Sequence, residues 1–340
     1  PLRLVGSEMC IRDSPKAQPF RLEVAYVPAS NWAFSRSAFL PEKLENDRLL
    51  YIRDRRRLVS LPLERRMLMT QSHKSVTMVE LFYDLIFAYA VGRMAQALAL
   101  PTHGFIAPRM LGEFLMMLLV FWVIWTYQTV LANRYFNNQL AQSLFTLFNM
   151  FWVIVLSTAI NVDFVKTKWS FQLSTAILFL SVAIQYGLIW RQKHAALPKI
   201  FGLTLTIAGA LALVSPFLTP YSLSFTVFFL GVVGASFVPL LFWRTINAAP
   251  VDFSHLSERY SLLVLLIFGE AVIGVADTVY SGLSLQAGLF FFVVILLFVA
   301  YQLVYDNGLN RQIKTGGLAA IHLHYPLLAA ILSILSLIHI

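Results

Sequence analysis

From Thr77 onward the chain is a succession of long apolar runs broken by short polar interruptions, with no alternating period inside the runs. Met110 to Val130, Leu144 to Ile160, Leu223 to Trp243 and Leu285 to Val304 are each of the length, roughly 20 residues, that a helix needs to cross a hydrocarbon core of about 30 Å. Barrel strands alternate apolar and polar positions, and these runs do not, so helices are the expected spanning element. The polar interruptions predict nine spans, at about 77–98, 110–132, 141–161, 170–190, 199–215, 222–243, 260–280, 286–305 and 318–334. Connections such as Asn133 to Leu140 and Arg191 to Pro198 are short and leave no room for a soluble catalytic domain. The predicted fold is therefore all-α, a polytopic transmembrane helix bundle.

Composition agrees. Of 340 residues 58% are hydrophobic and 13% charged, against about half and about a quarter in soluble domains, and the mean hydropathy is +0.70. The ends differ in kind. Residues 4–14, LVGSEMCIRDS, and 335–340, LSLIHI, match translations of the two strands of a sequencing-library transposon adapter, so residues 1–14 and 335–340 are expected to be adapter-derived. The single cysteine, Cys10, falls in the first of them, and no disulfide or thiol argument rests on it. Residues 15–68 are basic, with Arg53, Arg55, Arg56, Arg57, Arg65 and Arg66. They read either as a cytoplasmic extension whose arginines sit on anionic lipid, or as untranslated sequence ahead of a start at Met67 or, preferred, Met69. The transmembrane domain is then 69–334, expected to be truncated at its carboxyl end.

From Met69 on there are 13 Lys and Arg against 9 Asp and Glu, so most of the formal +9 belongs to the basic segment, and the charge implies no nucleic-acid partner. No cleavable signal peptide is apparent, and the first span would direct insertion. With a cytoplasmic amino end, the inner loops hold Lys74, Arg134, Arg191, Lys193, Lys199, Arg244, Arg259, Arg311 and Lys314, and the outer ones Arg93, Arg109, Lys166 and Lys168. That excess favours a cytoplasmic amino terminus. Trp122, Trp125, Trp169, Trp190 and Trp243 fall towards span ends, as interfacial belts do.

A repeat is also visible. Tyr127-Gln128-Thr129-Val130-Leu131-Ala132-Asn133 recurs as Tyr301-Gln302-Leu303-Val304-Tyr305-Asp306-Asn307, and residues 85–91 match 266–272 more loosely. Spans one to three thus resemble spans seven to nine. An offset of six spans inserts both copies in the same sense, which predicts a 6+6 parallel internal repeat in the parent.

Charged residues inside spans are the candidate chemistry. Glu80 and Asp84 share one helical face, where like charges repel. At about 1.5 Å per residue Glu80 lies about 5 Å into its span, Asp84 about 10 Å and Glu270 about 15 Å, near the midplane. Such carboxylates pair, protonate or line a polar pathway. Arg259, beside Glu258 at the start of span seven, is level with Glu80 if spans one and seven meet. The candidate polar site is therefore Glu80, Asp84, Glu258, Arg259 and Glu270. Either it staples two halves of the bundle together or some of its carboxylates bind a cation or carry protons. His322 and His324 are secondary candidates for a proton relay or a ligand pair, though a spacing of two puts them on different helical faces, and Gln128, Asn149, Gln185 and Gln302 for interhelical hydrogen bonds. Gly269 and Gly274 are expected to allow close helix approach near Glu270. No phosphate loop, metal-ligand motif or activated nucleophile is present in the sequence, so no catalytic residue, metal or cofactor is expected.

VELFYDLIF at 79–87 resembles the E-L-F-F-D-L-V-F signature of the bacterial low temperature requirement A (LtrA) family. Glu258-Arg259-Tyr260 followed by Leu266-Ile267-Phe268-Gly269-Glu270-Ala271-Val272 resembles its E-R-F and L-G-E-S-V segment, and His324-Tyr325-Pro326-Leu327 its H-L-P-L. The departures are Tyr83 in place of Phe and Ala271 in place of a small hydroxyl residue, which removes a hydroxyl ligand beside Glu270. The resemblance covers about Thr77 to Leu332 and implies a multi-spanning inner-membrane protein needed for growth at low temperature. It supplies no chemistry. The leading expectation is a bacterial cytoplasmic-membrane transport or permeation protein, not an enzyme, whose partners are the bilayer and a small solute, cation or proton. The rival is a non-transporting scaffold or sensor in cold or envelope stress. The sequence leaves the oligomeric state open.

Overall fold

The computed structural model describes residues 76–98, 108–135, 140–160, 164–281 and 285–336. The adapter-like amino end, the basic segment, Lys74 and the residues from 337 on lie outside it, as does the side chain of Arg109. Among the described residues the regular structure is helical, with no strand. The helices are α1 (Met78–Leu98), α2 (Pro108–Tyr135), α3 (Leu140–Thr158), α4 (Phe164–Lys193), α5 (Ala196–Val214), α6 (Tyr221–Leu241), the short α7 (Trp243–Ala248), α8 (Phe253–Ser281), α9 (Leu285–Leu303) and α10 (Leu318–Ser336).

Each predicted span has a helix, but the criterion of length and apolarity is met by seven, α2 to α6, α8 and α9. α1 has the length, 21 residues, yet carries Glu80, Asp84 and Arg93. In α10 the apolar stretch Leu318–Ile334 is shorter. The breaks between helices follow local chemistry. His194 takes a positive φ of 49° to turn α4 into α5. Pro216 sits in a single 3₁₀ turn, Ser215–Phe217, after α5, and Pro220 immediately precedes α6.

α2 is the axis of the bundle. It packs against α1, α4, α6, α8 and α10, and 89% of its apolar window is buried against 11% for α9. Burial on every side explains why α2 shows no polar face: Val120, Phe121, Ile124, Trp125 and Thr129 are all enclosed. The peripheral helices expose large apolar side chains, such as Leu203, Ile207, Leu230, Phe237, Ile273 and Leu296, a surface that water disfavours and lipid accepts. Trp169, Trp190 and Trp243 are part-exposed near helix ends, but Trp122 and Trp125 are core residues, which corrects their assignment to an interfacial belt.

The two copies of the Tyr-Gln repeat occupy different surroundings. Tyr127, Gln128, Val130 and Asn133 are buried in α2. Gln302, Val304 and Asn307 are exposed, and the chain there opens into a π turn, Val304–Gly308.

Small residues set the closest helix approaches. A Cβ on Gly231 of α6 would stand 3.2 Å from Leu211 Cβ and 3.3 Å from the Ala208 carbonyl oxygen of α5, whereas one on Gly234 would meet nothing within 4 Å. Gly231→Ala is expected to lower unfolding stability in detergent by about 1–3 kcal/mol through overpacking. Gly234→Ala should leave it unchanged or raise it by up to about 1 kcal/mol, the helix-propensity gain; thermal unfolding of the two variants side by side checks this.

Candidate functional site

α1 begins with a capping box. The Thr77 N–H and hydroxyl donate to Glu80 Oε2 at 2.9 and 3.0 Å, and the Glu80 N–H donates to Thr77 Oγ1 at 3.3 Å. The reciprocal pair satisfies two of the backbone donors that a helix start leaves open, and the helix dipole favours a carboxylate there. Glu80 and Asp84 thus share one face of α1, and His255 and Arg259, also four apart, share one face of α8. The two faces meet.

Arg259 Nε donates to Asp84 Oδ2 at 3.2 Å and its Nη2 donates to Asp84 Oδ1, a bidentate pair. Trp125 Nε1–H of α2 donates to Asp84 Oδ1 at 2.8 Å, and the guanidinium carbon lies 5.5 Å from the Trp125 ring centre. Arg259 Nη1 is 3.7 Å from Glu80 Oε1. Asp84 is 0% exposed, Arg259 1% and Glu80 3%, so these charges have left water altogether. Such a cluster persists only if each charge is met by fixed donors and acceptors, and here Asp84 has three donor contacts from two helices.

His255 completes the arrangement. The Asp252 N–H donates to Asn133 Oδ1 at 3.0 Å, while Asn133 Nδ2 donates to the Asp252 carbonyl oxygen at 2.8 Å. That pair of bonds orients the amide, so the Nδ2 that faces His255 Nδ1 at 3.1 Å is a donor and Nδ1 accepts. The ring proton is then on Nε2, which points at Glu80 Oε2 from 3.5 Å. Asn133 fixes a tautomer, and the tautomer aims a donor at the carboxylate.

The other sequence candidates lie elsewhere. Glu258 is exposed on α8 and does not join the cluster, because its neighbour Arg259 takes the inward face. Glu270 is half-buried eleven residues beyond Arg259, about 16 Å along the helix, and the structure does not bring it to Asp84. Its carboxylate lies instead against Gly92 of α1, where a Cβ would come within 2.5 Å of Oε2. The expected close approach at Gly269 is absent, since a Cβ there meets nothing within 4 Å. The five candidate residues therefore separate into the Glu80–Asp84–Arg259 cluster, the Glu270–Gly92 contact on the same helix pair, and an exposed Glu258. Contacts at Asp84–Arg259 and again at Gly92–Glu270 make α1 and α8 parallel.

His324 Nδ1–H donates to the Ala320 carbonyl oxygen at 2.7 Å and its Nε2 accepts from Tyr301 Oη at 3.4 Å. Its ring centre lies 4.6 Å from that of Tyr260. His322 contacts the Leu318 and Ser236 carbonyl oxygens, at 2.8 and 3.2 Å, so the two histidines face different neighbours. Gln128 lies in a buried seam between α2, α3 and α4, bonded to Thr146, Asn149 and Gln185, with Ser181 bonded to Asn149. Gln302 is exposed. Among the described residues no three His, Cys, Asp or Glu side chains group as metal ligands do.

Four members of the cluster are absent from the sequence expectations: Thr77, Trp125, Asn133 and His255. Two had a readable signal, Thr77-x-x-Glu80 as a capping box ahead of an apolar run, and His255 one turn before Arg259. The family model for bacterial low temperature requirement A protein (LtrA) matches residues 75–337, which includes every residue of the cluster. No curated protein and no solved structure matches the chain.

Glu80→Ala removes half of the capping box and one anion facing Arg259, and is expected to lower unfolding stability by about 2 kcal/mol or more. Glu258→Gln, at an exposed position, should change it by less than about 0.5 kcal/mol. Denaturation of both in the same detergent tests the division between the two neighbouring acids.

Proposed function

The chain belongs to the bacterial low temperature requirement A (LtrA) family, and from that premise we propose that it is a transport or permeation protein of the bacterial cytoplasmic membrane. In this reading α1 and α10 also cross the bilayer, giving nine spans with a cytoplasmic amino end. The parallel course of α1 and α8 supports this, since the five crossings between them, α2 to α6, return the chain in the same sense. Of the charged groups of α1 that lower its apolarity, Glu80 and Asp84 face inward and not toward lipid, while Arg93, near the far end of the helix, is exposed. A 6+6 parallel repeat of the parent remains part of the proposal.

The observation that carries the reading is the contrast between the acids. Asp84 and Glu80 share the single positive charge of Arg259 and serve as the clamp between α1 and α8. Glu270, deep in the span and half-buried, has no ion pair among the described residues. A carboxylate at that depth without a counter-charge is the group suited to take up and release a proton or a small cation. Gly92, having no side chain, makes room for it against α1.

A second reading, a non-transporting scaffold or sensor in cold or envelope stress, draws on the completeness of the Asp84 pairing, which resembles a static joint more than a binding site. Flux separates the two. In proteoliposomes, wild type is expected to carry a proton or monovalent-cation current above empty vesicles, and Glu270→Gln to cut it by about tenfold or more, equivalent to about 1.4 kcal/mol. Wild-type flux equal to empty vesicles under every gradient tried would sink the transport reading and leave the scaffold.

A further inference from the structure

The buried clamp between α1 and α8 does not balance in charge. Glu80 and Asp84 bring two carboxylates and Arg259 one guanidinium, all of them out of water. Glu80 Oε1 accepts no hydrogen bond, and Arg259 Nη1 stands 3.7 Å from it. An unmatched buried charge is costlier than the loss of a neutral hydrogen bond or two. His255 is placed to supply the missing positive charge: it is buried, and its Nε2 lies 3.5 Å from Glu80 Oε2.

Asn133 holds that charge off. His255 Nδ1 accepts from Asn133 Nδ2 at 3.1 Å, so a proton on Nδ1 would face an N–H donor. The other contacts of the amide are to backbone: Nδ2 donates to the Asp252 carbonyl oxygen at 2.8 Å, and Oδ1 accepts from the Asp252 N–H at 3.0 Å. Asp252 stands just before α8, and its own Oδ1 accepts from the His255 N–H at 3.2 Å, as a helix cap does. The two amide bonds therefore tie the start of α8 to α2. Turned over, the amide would accept from an imidazolium but set donor against donor and acceptor against acceptor at Asp252. Among the described residues the charged groups around the ring are Glu80 on α1 and Asp252 and Arg259 on α8, with Asp84 and Tyr83 close to Arg259. Arg134 of α2 turns to the Gly316 carbonyl oxygen, the histidines of α10 face Tyr301 and Ser236, and α9 carries no charged side chain.

We propose that His255 is a proton-binding site that works as a latch: it takes a second ring proton at Nδ1, turns the Asn133 amide over, and so frees the start of α8 from α2. One proton enters, and the cluster becomes two acids matched by two cations, His255 with Glu80 and Arg259 with Asp84. Uptake exchanges an α2–α8 tie for a second α1–α8 ion pair. The site needs neither Glu270 nor any transport.

Two measurements on the purified chain in detergent test this together: NMR of isotope-labelled histidine rings, and hydrogen exchange at the Asp252 amide corrected for the intrinsic pH dependence of exchange. Between about pH 8 and about pH 5 wild type is expected to gain the second His255 ring proton. Protection of the Asp252 amide should fall by about tenfold or more with the same midpoint. His255→Gln should show protection that does not vary with pH. Asn133→Asp offers Nδ1–H an acceptor while keeping one for the Asp252 N–H, so it should hold the imidazolium to higher pH and leave that amide protected throughout. Should His255→Gln fail to fold, the shared midpoint in wild type and the shift of the ring titration in Asn133→Asp decide. A His255 ring that stays neutral to about pH 5, equal Asp252 protection at both ends of the range, or a loss of protection that survives His255→Gln would each overturn the proposal.

Discussion

A guanidinium enclosed in an apolar bundle is tolerated only where anions and fixed acceptors meet it, and Arg259 is enclosed to 1% exposure. Everything else about the α1–α8 pairing follows from meeting that condition. Asp84 takes the bidentate face of the guanidinium, Trp125 shares the same carboxylate and lies beside the cation, and Glu80 supplies the second negative charge at longer range. The effective energy of such a group is dominated by what happens when a partner is missing: an uncompensated buried charge costs several kcal/mol, more than the intact pair contributes. The cluster therefore specifies which helices meet, and in what register, more than it adds stability.

The register has consequences along the helix pair. With Asp84 opposite Arg259, two parallel helices bring Gly92 opposite Glu270, and the glycine makes room for the carboxylate against α1. At the other end the same register sets Glu80 beside His255, where the capping box of α1 and the Asn133 bridge to Asp252 converge. The register so brings together a helix start, a histidine whose tautomer Asn133 fixes, and the position of a second acid. α2 contributes Trp125 to the Asp84 pair and Asn133 to His255.

How much of this was legible in the sequence divides by physical cause. Helix positions were legible because continuous apolar runs have few alternatives to helix, while seven of the nine meet the length and apolarity of a span. The Arg259–Glu80–Asp84 meeting was legible because charges inside spans seek opposite charges, and few were on offer at that depth. Glu258 was not separable from Arg259 in sequence, since only the rotation of α8 decides which of two neighbours points inward. Glu270 was assigned to the same cluster from depth alone, and depth does not fix distance along a parallel partner. Trp125 reads as an interfacial residue because an aromatic near a span end looks the same in sequence whether its N–H meets lipid headgroups or a buried carboxylate.

The account rests on direct coupling between Asp84 and Arg259, and a double-mutant cycle in detergent or bilayer measures it. Asp84→Asn and Arg259→Gln alone are each expected to destabilise by about 3–5 kcal/mol, and the double variant by clearly less than their sum, a coupling of about 2 kcal/mol or more. Additive losses, or an Arg259→Gln variant as stable as wild type, would contradict it.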